Sequence, residues 1–287
     1  MESPFEPKPL SASAKTDWTM RELHRRSDLR ELWNQVDILT YPLQKRSPYI
    51  VGFACSDICV RTAQRLRYEI FNIEMGLGLQ ESHATGLDRD EYDAQMTHLV
   101  VLEKDTGRVV GTYRFQRAVT ALEHRGLYSA GEFELTQLEP RFGQAMELSR
   151  ACTAADHRHA SALLSLWFGL QVYINLFDIR WLFGCCSIMS TTPDDGWRAM
   201  KTLRQGGYLD PHIMLPVRPH CSCGDPEREF DSDLGDPIPL PKLFRTYMRL
   251  GATVISHPCI DREFGSIDFL ILMDMNNLKT QSVAINV

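Results

Sequence analysis

Hydrophobic side chains recur at three- and four-residue steps after Asp57, which predicts a helix with Asp57 as its cap. The recurring positions are Ile58, Ala63, Leu66, Ile70 and Phe71. Gly76 and Gly78 follow, and glycine is typical of the end of a helix. The acidic segment at 87–93 then predicts a loop.

Two apolar runs with a short turn between them predict a β-hairpin. Residues 98–103 and 108–115 form its two strands. In the second strand Arg114 shares a face with Val110 and Thr112. A partly buried arginine needs an anionic partner, so we expect Arg114 to face a cleft.

A strand-to-helix junction lies at the centre of the chain. Residues 145–150 predict the strand, and the apolar run at 160–177 predicts most of the helix. Thr153 is the expected cap of this helix, with Asp156 three positions on as its capping-box partner.

Three basic side chains crowd the predicted first turn of that helix, where the helix dipole disfavours positive charge. They are His157, Arg158 and His159. Backbone N–H groups at a helix start, together with an arginine, form a ready phosphate site. One interpretation is therefore a phosphate-bearing ligand held beside Glu147, and the other is a solvated turn with ordinary charges.

The rest of the chain continues to alternate between strands and helices. The apolar run at 181–188 is typical of a strand buried on both faces, and the Pro-, Gly- and Asp-rich stretch at 206–236 predicts a long loop. Helices are predicted from Thr192 to Arg204 and from Pro239 to Leu250, and strands at 252–256 and 267–273.

Composition describes an ordinary globular protein. The chain has 287 residues, of which 44% are hydrophobic and 24% charged, and a net charge of -6. That charge gives no support to nucleic-acid binding. The N-terminus does not read as a signal peptide and no run approaches a membrane span of roughly 20 apolar residues, so we expect a cytoplasmic protein. Its eight cysteines are expected to remain thiols.

Length and local composition suggest one large domain with extensions. We expect an N-terminal extension at 1–50, a single domain at 51–275 and a C-terminal tail at 276–287. The extension is locally basic, which suits an acidic partner or an anionic lipid surface, or is simply a solvated face. The segment His220-Cys-Ser-Cys223 lacks the second spaced pair of a zinc site, and no metal site is predicted.

Four groups of charged, aromatic and glycine positions follow one another along the chain. They are Arg65, Arg67 and Phe71; Asp90 and Asp93; Gly111-Thr-Tyr-Arg114; and Glu147-Leu-Ser-Arg150. Together they resemble the signature positions of acyl-homoserine lactone synthases. The C-terminal part resembles bacterial L-ornithine N-acyltransferases at Pro241, Tyr247, Leu250-Gly-Ala252, Pro258, Asp261, Phe264 and Asp268. From about Asp57 to Met273 the chain is thus similar to the N-acyltransferase branch of the GNAT superfamily. The resemblance implies an α/β fold with a central, mixed, mostly antiparallel twisted sheet flanked by helices.

The resemblance also implies a reaction. The donor would be an acyl carrier protein thioester, whose acyl-phosphopantetheine arm takes the place of a tightly bound cofactor. The favoured acceptor is the α-amino group of L-ornithine, which would receive a 3-hydroxy fatty acyl group. The protein would then work in peripheral contact with the inner face of the membrane. Alternatives are acylation of glycine or an aromatic amino acid, lactone synthesis, and non-catalytic binding of lipid or carrier.

Glu147 and Arg150 are the expected catalytic residues. An ammonium group must lose a proton before it attacks a thioester, so we expect Glu147 to act as general base, directly or through one water. On an unbroken strand an odd offset would place the two side chains on opposite faces. A bulge or a strand end after Ser149 is therefore required if both face one cleft.

Acceptor binding is expected from four charged residues, Arg67, Asp90, Asp93 and Arg114. Either Arg114 or Arg150 should pair with the acceptor carboxylate. Asp90 and Asp93 either hold a substrate cation or are surface turn residues, and Arg67 is expected to organise them.

Donor binding is expected at the start of the central helix. The loop at 151–156 has no glycine, which favours a donor with less phosphate than coenzyme A. Thr153 and Arg158, with helix-start amides, are expected to hold the single phosphodiester of phosphopantetheine. Arg61 and Arg65 are either a docking patch for an acidic carrier protein or scattered surface charge.

Overall fold

A computed structural model describes residues 36–39 and 47–278. Their strands form one nine-stranded sheet in the order β1-β2-β3-β4-β5-β6-β9-β7, with β8 also paired to β9. The strands are β1 (Val36–Leu39), β2 (Tyr49–Ala54), β3 (Thr97–Glu103), β4 (Val109–Arg117), β5 (Ala145–Thr153), β6 (Trp181–Ile188), β7 (Thr253–Val254), β8 (Cys259–Asp261) and β9 (Ser266–Asp274). Neighbouring strands are antiparallel except β5 and β6, which confirms the predicted mixed, mostly antiparallel sheet.

Five α-helices flank the sheet in the described residues. They are α1 (Asp57–Tyr68), α2 (Ala118–Leu122), α3 (Ala160–Leu176), α4 (Pro193–Gln205) and α5 (Lys242–Leu250). A π-helical turn, Glu69–Glu74, continues α1. Short 3-10 turns lie at Gln80–Ala84, Asp93–Gln95, Tyr128–Gly131, Leu135–Gln144, Ala155–His157, Pro219–Cys221, Pro226–Phe230 and Met275–Asn277.

Helix α3 packs closely on one face of the sheet. A Cβ on Gly169 would lie 2.4 Å from Leu99 Cδ1 and 2.8 Å from Val51 Cγ1, so only glycine lets the helix approach this near. Leu170 in the same helix is fully buried. Part of the apolar run of α3 therefore lies in the core, whereas Leu176 at its end is exposed.

The other face of the central strands is polar. His98 lies opposite Arg114, and Arg114 lies opposite Ser149. Gln116 lies opposite Glu147 in the same way. Cross-strand partners project from the same face of a sheet, so these side chains form one polar row across β3, β4 and β5.

Strands β5 and β6 meet only briefly. Their parallel pairing covers Ala145 to Glu147 against Trp181 to Phe183. At the next position the Leu148 carbonyl comes so close to Gly184 that a Cβ there would lie 2.2 Å from the oxygen. The pairing of β5 with β6 therefore ends at Glu147, with the Leu148 carbonyl packed against Gly184.

The predicted start of the central helix is wrong. Strand β5 extends to Thr153 and α3 begins at Ala160, with His159 as N-cap and no side-chain cap bond. The Ala154 N–H donates to the Val110 carbonyl at 2.8 Å, which keeps this segment on the sheet. Asp156 is not a capping partner either, since it accepts a hydrogen bond from Arg108 at 2.6 Å.

The other predicted elements are largely present. Ser56 rather than Asp57 caps α1, through a bond from the Cys59 N–H to its Oγ. Strands β1 and β2 were not predicted, and they show that the sheet begins before residue 50. The basic residues predicted for the extension, Arg25, Arg26, Arg30, Lys45 and Arg46, lie outside the described residues. No helix in the described part of the chain is long and apolar enough to cross a membrane.

We expect Gly184→Ala to lower the free energy of unfolding by at least ~2 kcal/mol, because the new methyl group would overlap the Leu148 carbonyl and backbone cannot move as freely as a side chain. Chemical denaturation measures this. Gly143→Ala is the control, since nothing lies within 4 Å of its Cβ position, and its effect should stay within about 0.5 kcal/mol. Equal stability of the two variants would contradict the close strand approach.

Candidate active site

A bulge in β5 brings Glu147 and Arg150 to the same side of the sheet, where both lie against Tyr128. Arg114 pairs with Ser149 and Thr112 with Cys152, so three steps on β5 match two on β4. Arg150 takes up the extra residue with φ of 53°, in the left-handed region that few non-glycine residues occupy. The bulge that the sequence requires is confirmed. Such strain persists only where the surrounding contacts hold it.

Three buried arginines and three aspartates form a charge network on the polar face. The arginines are Arg67, Arg114 and Arg150, and the aspartates are Asp88, Asp90 and Asp93. Arg67 donates to Asp88 Oδ2 and to Asp93 Oδ1, each at 2.7 Å. Arg114 donates to Asp90 Oδ1 at 2.6 Å and to Ser149 Oγ at 2.9 Å. Each of these cations has a carboxylate partner, as buried charges require.

The arginines keep the carboxylates of the network ionised. Burial acts to raise the pKa of Asp93, but the hydrogen bond and charge of Arg67 hold that pKa far below its usual range. The pKa of Asp90 is lowered in the same way, with Arg114 opposing the effect of burial. Burial lowers the pKa of His98 to about 4, so its ring is neutral at pH 7.

Asp90 and Asp93 are therefore not surface turn residues. Asp88 is fully buried and Asp93 nearly so, and Arg67 organises both, as predicted for Asp93. Their role toward a substrate cation stays a prediction. However, their charge is already matched by arginines of the chain itself.

One arginine keeps a buried N–H group without a partner. Arg114 Nη2 makes no hydrogen bond within the described residues. Arg150 Nε and Nη2 make no hydrogen bond either, but they lie 3.3 Å from Asp88 Oδ2 and 3.6 Å from Asp90 Oδ2, within ion-pair distance. The Tyr128 ring lies near both guanidinium groups, 5.9 Å from Arg114 and 5.4 Å from Arg150. An unpaired buried donor is costly, and a carboxylate ligand would satisfy Arg114 Nη2.

Glu147 is almost fully buried and accepts four hydrogen bonds. Its Oε1 accepts from the N–H and the hydroxyl of Ser129, at 2.8 and 2.6 Å. Its Oε2 accepts from the Tyr128 N–H at 2.9 Å and from Gln116 Nε2 at 2.7 Å. A carboxylate has about four lone-pair sites, and all are filled. Glu147 thus fixes the turn that carries Tyr128, and its role as base stays a prediction.

The residues expected to hold the phosphodiester lie at the far end of β5. Thr153 pairs with Gly111 in the sheet. Arg158 is exposed and forms an ion pair with Glu74, with Nη2 to Oε2 at 2.7 Å. The structure therefore gives Arg158 a protein partner, and its contact with a phosphate stays a prediction.

Sequence reasoning missed the side chains that hold the site together. Gln116 had a detectable signal, since it lies two positions after Arg114 and so shares its face. Tyr128 and Ser129 gave no such signal in the sequence, because they lie on a separate turn that meets Glu147 only in the folded chain. Glu132, Cys185 and Asp268 were also missed; they offer ligand atoms within 4.8 Å of one another.

We expect Asp93→Asn to cost about 3 kcal/mol of unfolding free energy at pH 7, because it leaves buried positive charge uncompensated. The pKa of Asp93 is lower in the folded than in the unfolded state. Its contribution is therefore present above about pH 4 and is lost as the pH falls toward the folded value. Denaturation at pH 7 and at about pH 3.5 should show the difference from wild type shrinking with acid. Asp236→Asn, at an exposed site, is the control, and a pH-independent difference would contradict the ion-pair explanation.

Several known proteins are similar to this chain. Residues 66–168 match the acetyltransferase (GNAT) domain. An L-ornithine N(alpha)-acyltransferase of Rhodobacter capsulatus is 33% identical over 234 residues, which cover 75% of this chain and 85% of that protein. One of Agrobacterium fabrum is 30% identical over 239 residues, 76% of this chain and 78% of that protein. A solved N-acyl amino acid synthase from uncultured soil microbes has a TM-score of 0.49 and 13% identity, over 82% of this chain and 96% of its own.

The bulged strand, the buried arginines and the shared identity lead to one conclusion: this chain belongs to the family of the L-ornithine N(alpha)-acyltransferases, which are N-acyltransferases of the GNAT class.

Proposed function

We propose that the protein transfers a 3-hydroxy fatty acyl group from an acyl carrier protein thioester to the α-amino group of L-ornithine, giving lyso-ornithine lipid. The observation that carries the proposal is the match to relatives named L-ornithine N(alpha)-acyltransferase over three quarters of this chain. The acceptor follows from those names. The carrier-bound donor is proposed from the resemblance to lactone synthases and from the 151–156 segment, which has no glycine.

The free Nη2 group of Arg114 supports an α-amino acid as acceptor. This buried donor has no partner among the described residues, and both Arg114 and Arg150 lie beside Tyr128. A carboxylate accepts from guanidinium groups in short, charge-assisted bonds. We therefore place the acceptor carboxylate there, close to Glu147 on the same face of the sheet.

In the proposed reaction the amine nitrogen bonds to the thioester carbonyl carbon, and the C–S bond then breaks. Glu147 takes the first proton of the ammonium group before attack. After attack the nitrogen loses its second proton, which passes to the thiolate that leaves on the phosphopantetheine arm. Glu147 must first give up one of its four donors, and Gln116 is the side chain most able to turn away. Backbone N–H groups on the edge of β5 beyond Glu147, which is not paired with β6, would stabilise the oxyanion.

Donor contacts are proposed at two places. Thr153 and Arg158 would receive the phosphodiester of the carrier's arm, with Arg158 exchanging Glu74 for the phosphate. Arg61 and Arg65 are exposed on α1 and would meet the acidic surface of the carrier protein. No tightly bound cofactor is needed, and contact with the membrane surface would serve release of the amphiphilic product.

Product analysis tests the function directly. The purified protein is mixed with 3-hydroxyacyl carrier protein and an equimolar pool of amino acids that includes ornithine, and products are identified by mass spectrometry. We expect N-acyl ornithine alone, and no product when free acyl-CoA replaces the carrier. A different N-acyl amino acid would overturn the acceptor, and an active acyl-CoA would overturn the donor. No product with either donor would favour a non-catalytic carrier-binding protein.

We expect Glu147→Gln to reduce turnover by about 10²- to 10⁴-fold if Glu147 is the general base, while binding of the acyl carrier protein is retained. The same variant should lose about 1–3 kcal/mol of unfolding free energy, because a glutamine cannot accept four hydrogen bonds. Steady-state kinetics and denaturation measure the two effects. Glu139→Gln, at an exposed site, controls for the substitution. Unchanged turnover in Glu147→Gln would remove Glu147 as base.

A further inference from the structure

Two glutamine side chains connect Glu147 to the loop that carries the aspartates. Gln116 donates from Nε2 to Glu147 Oε2 at 2.7 Å, and its Oε1 accepts from Gln95 Nε2 at 2.6 Å. Gln95 ends the short turn that begins at Asp93. Gln116 is 2% exposed, and Gln95 is partly buried. The two amide groups therefore form one hydrogen-bonded chain that ends on the carboxylate.

The backbone at 125–126 fixes the Gln95 amide. Gln95 Oε1 accepts from the Arg125 N–H at 3.0 Å, and Gln95 Nε2 also donates to the Gly126 carbonyl at 2.9 Å. A side-chain amide has two N–H donors, and both of those on Gln95 are used. Because a backbone N–H can only donate and a carbonyl can only accept, the Gln95 amide has one orientation.

The Gln116 amide is fixed from both ends. An ionised carboxylate can only accept, so Gln116 turns its N–H groups to Glu147 and its oxygen to Gln95. Half a turn of the Gln116 amide would set its N–H groups against those of Gln95. Gln95 cannot turn in response, because its own N–H groups would then face the Arg125 N–H. The chain of amides thus has one stable polarity, and that polarity matches the ionised form of Glu147.

We propose that Gln95 is a positioning residue for the general base, because it holds the Gln116 amide toward Glu147 and so keeps that carboxylate ionised in the free enzyme. This role rests on the proposed function, in which Glu147 takes a proton from the acceptor ammonium group. A hydrogen bond to the charged form of a carboxyl group favours that form. During the reaction Gln116 turns away from Glu147 only when Gln95 releases it. The loop that binds the arginines therefore also sets the readiness of the base.

Other titratable and charged groups lie around Glu147, outside this chain of amides. They are Tyr92, Arg114, Tyr128, Glu132, Cys185 and Asp268. Burial raises the pKa of Tyr92, Tyr128 and Cys185, so these three groups stay neutral at and below pH 7. Burial also raises the pKa of Glu132 and Asp268. Neither of these makes a hydrogen bond to Gln95 or Gln116 among the described residues, so their titration is common to wild type and to variants of the two glutamines.

The test is the pH profile of kcat/KM for ornithine, with 3-hydroxyacyl carrier protein as donor, because this profile reports the protonation of the free enzyme. Gln95→Met nearly keeps the length of the side chain but cannot donate to Gln116. We expect its acid limb to move to higher pH by about one unit, since Glu147 is no longer held in its ionised form. Gln205→Met, at an exposed site, is the control and should leave the limb in place.

A double substitution shows whether Gln95 acts through Gln116. Gln116→Met should move the acid limb in the same direction by at least as much, and adding Gln95→Met to it should cause no further shift. A double variant whose shift equals the sum of the two single shifts would overturn the proposal. Gln95→Glu is used if Gln95→Met does not fold, since it still accepts from the Arg125 N–H but cannot donate to Gln116. It should also move the limb to higher pH.

The outcomes separate this role from the proposed function. No N-acyl ornithine from wild type would overturn the proposed function itself. Full turnover in Glu147→Gln would remove the base and, with it, the role of Gln95. An unmoved acid limb in Gln95→Met, with ornithine acylated and Glu147→Gln inactive, would overturn the role of Gln95 alone. A fall in kcat/KM by the same factor at every pH would also overturn it, because that result would show a purely structural effect.

Discussion

The charge network between α1, the 87–93 loop and β4 is the constraint on which the site depends. Arg67 is fully buried in the last turn of α1 and holds both Asp88 and Asp93. The loop is therefore fixed on the polar face of the sheet, where it presents Asp90 to Arg114. Without a buried cation on α1, that loop would carry its carboxylates to solvent. Helix α1 thus determines which carboxylate faces Arg114 on β4, although α1 is not part of the sheet.

The bulge in β5 complements this network. It turns Arg150 toward Asp88 and Asp90 while leaving Glu147 in register with Gln116. Glu147 in turn fixes the Tyr128–Gly131 turn through two backbone N–H groups. The same carboxylate therefore positions an aromatic ring against the arginines and carries Glu132 toward β6. Catalytic and binding candidates are held by one continuous set of hydrogen bonds.

Hydrophobic periodicity predicted the strands and helices that have one apolar and one polar face, and a long apolar run predicted the rest. Strands β3, β4 and β6 and helices α1 and α3 all fall in this class. Strand β2 was missed because Tyr49–Ala54 is buried on both faces over most of its length, which removes the period-two signal. The Thr153 cap failed because the partner of Asp156, Arg108, lies 48 positions away in sequence. Spacing likewise predicted the need for a bulge, but it could not predict the close approach of Glu132, Cys185 and Asp268, which come from three distant elements.

The short contact between β5 and β6 has a mechanical consequence. Among the described residues, strands β1 to β5 form one hydrogen-bonded half of the sheet and β6 to β9 the other, and three residue pairs of β5 and β6 join them. The arginine network belongs to the first half, whereas Cys185 and Asp268 belong to the second. A ligand that touched both halves would therefore add contacts where the sheet has few of its own.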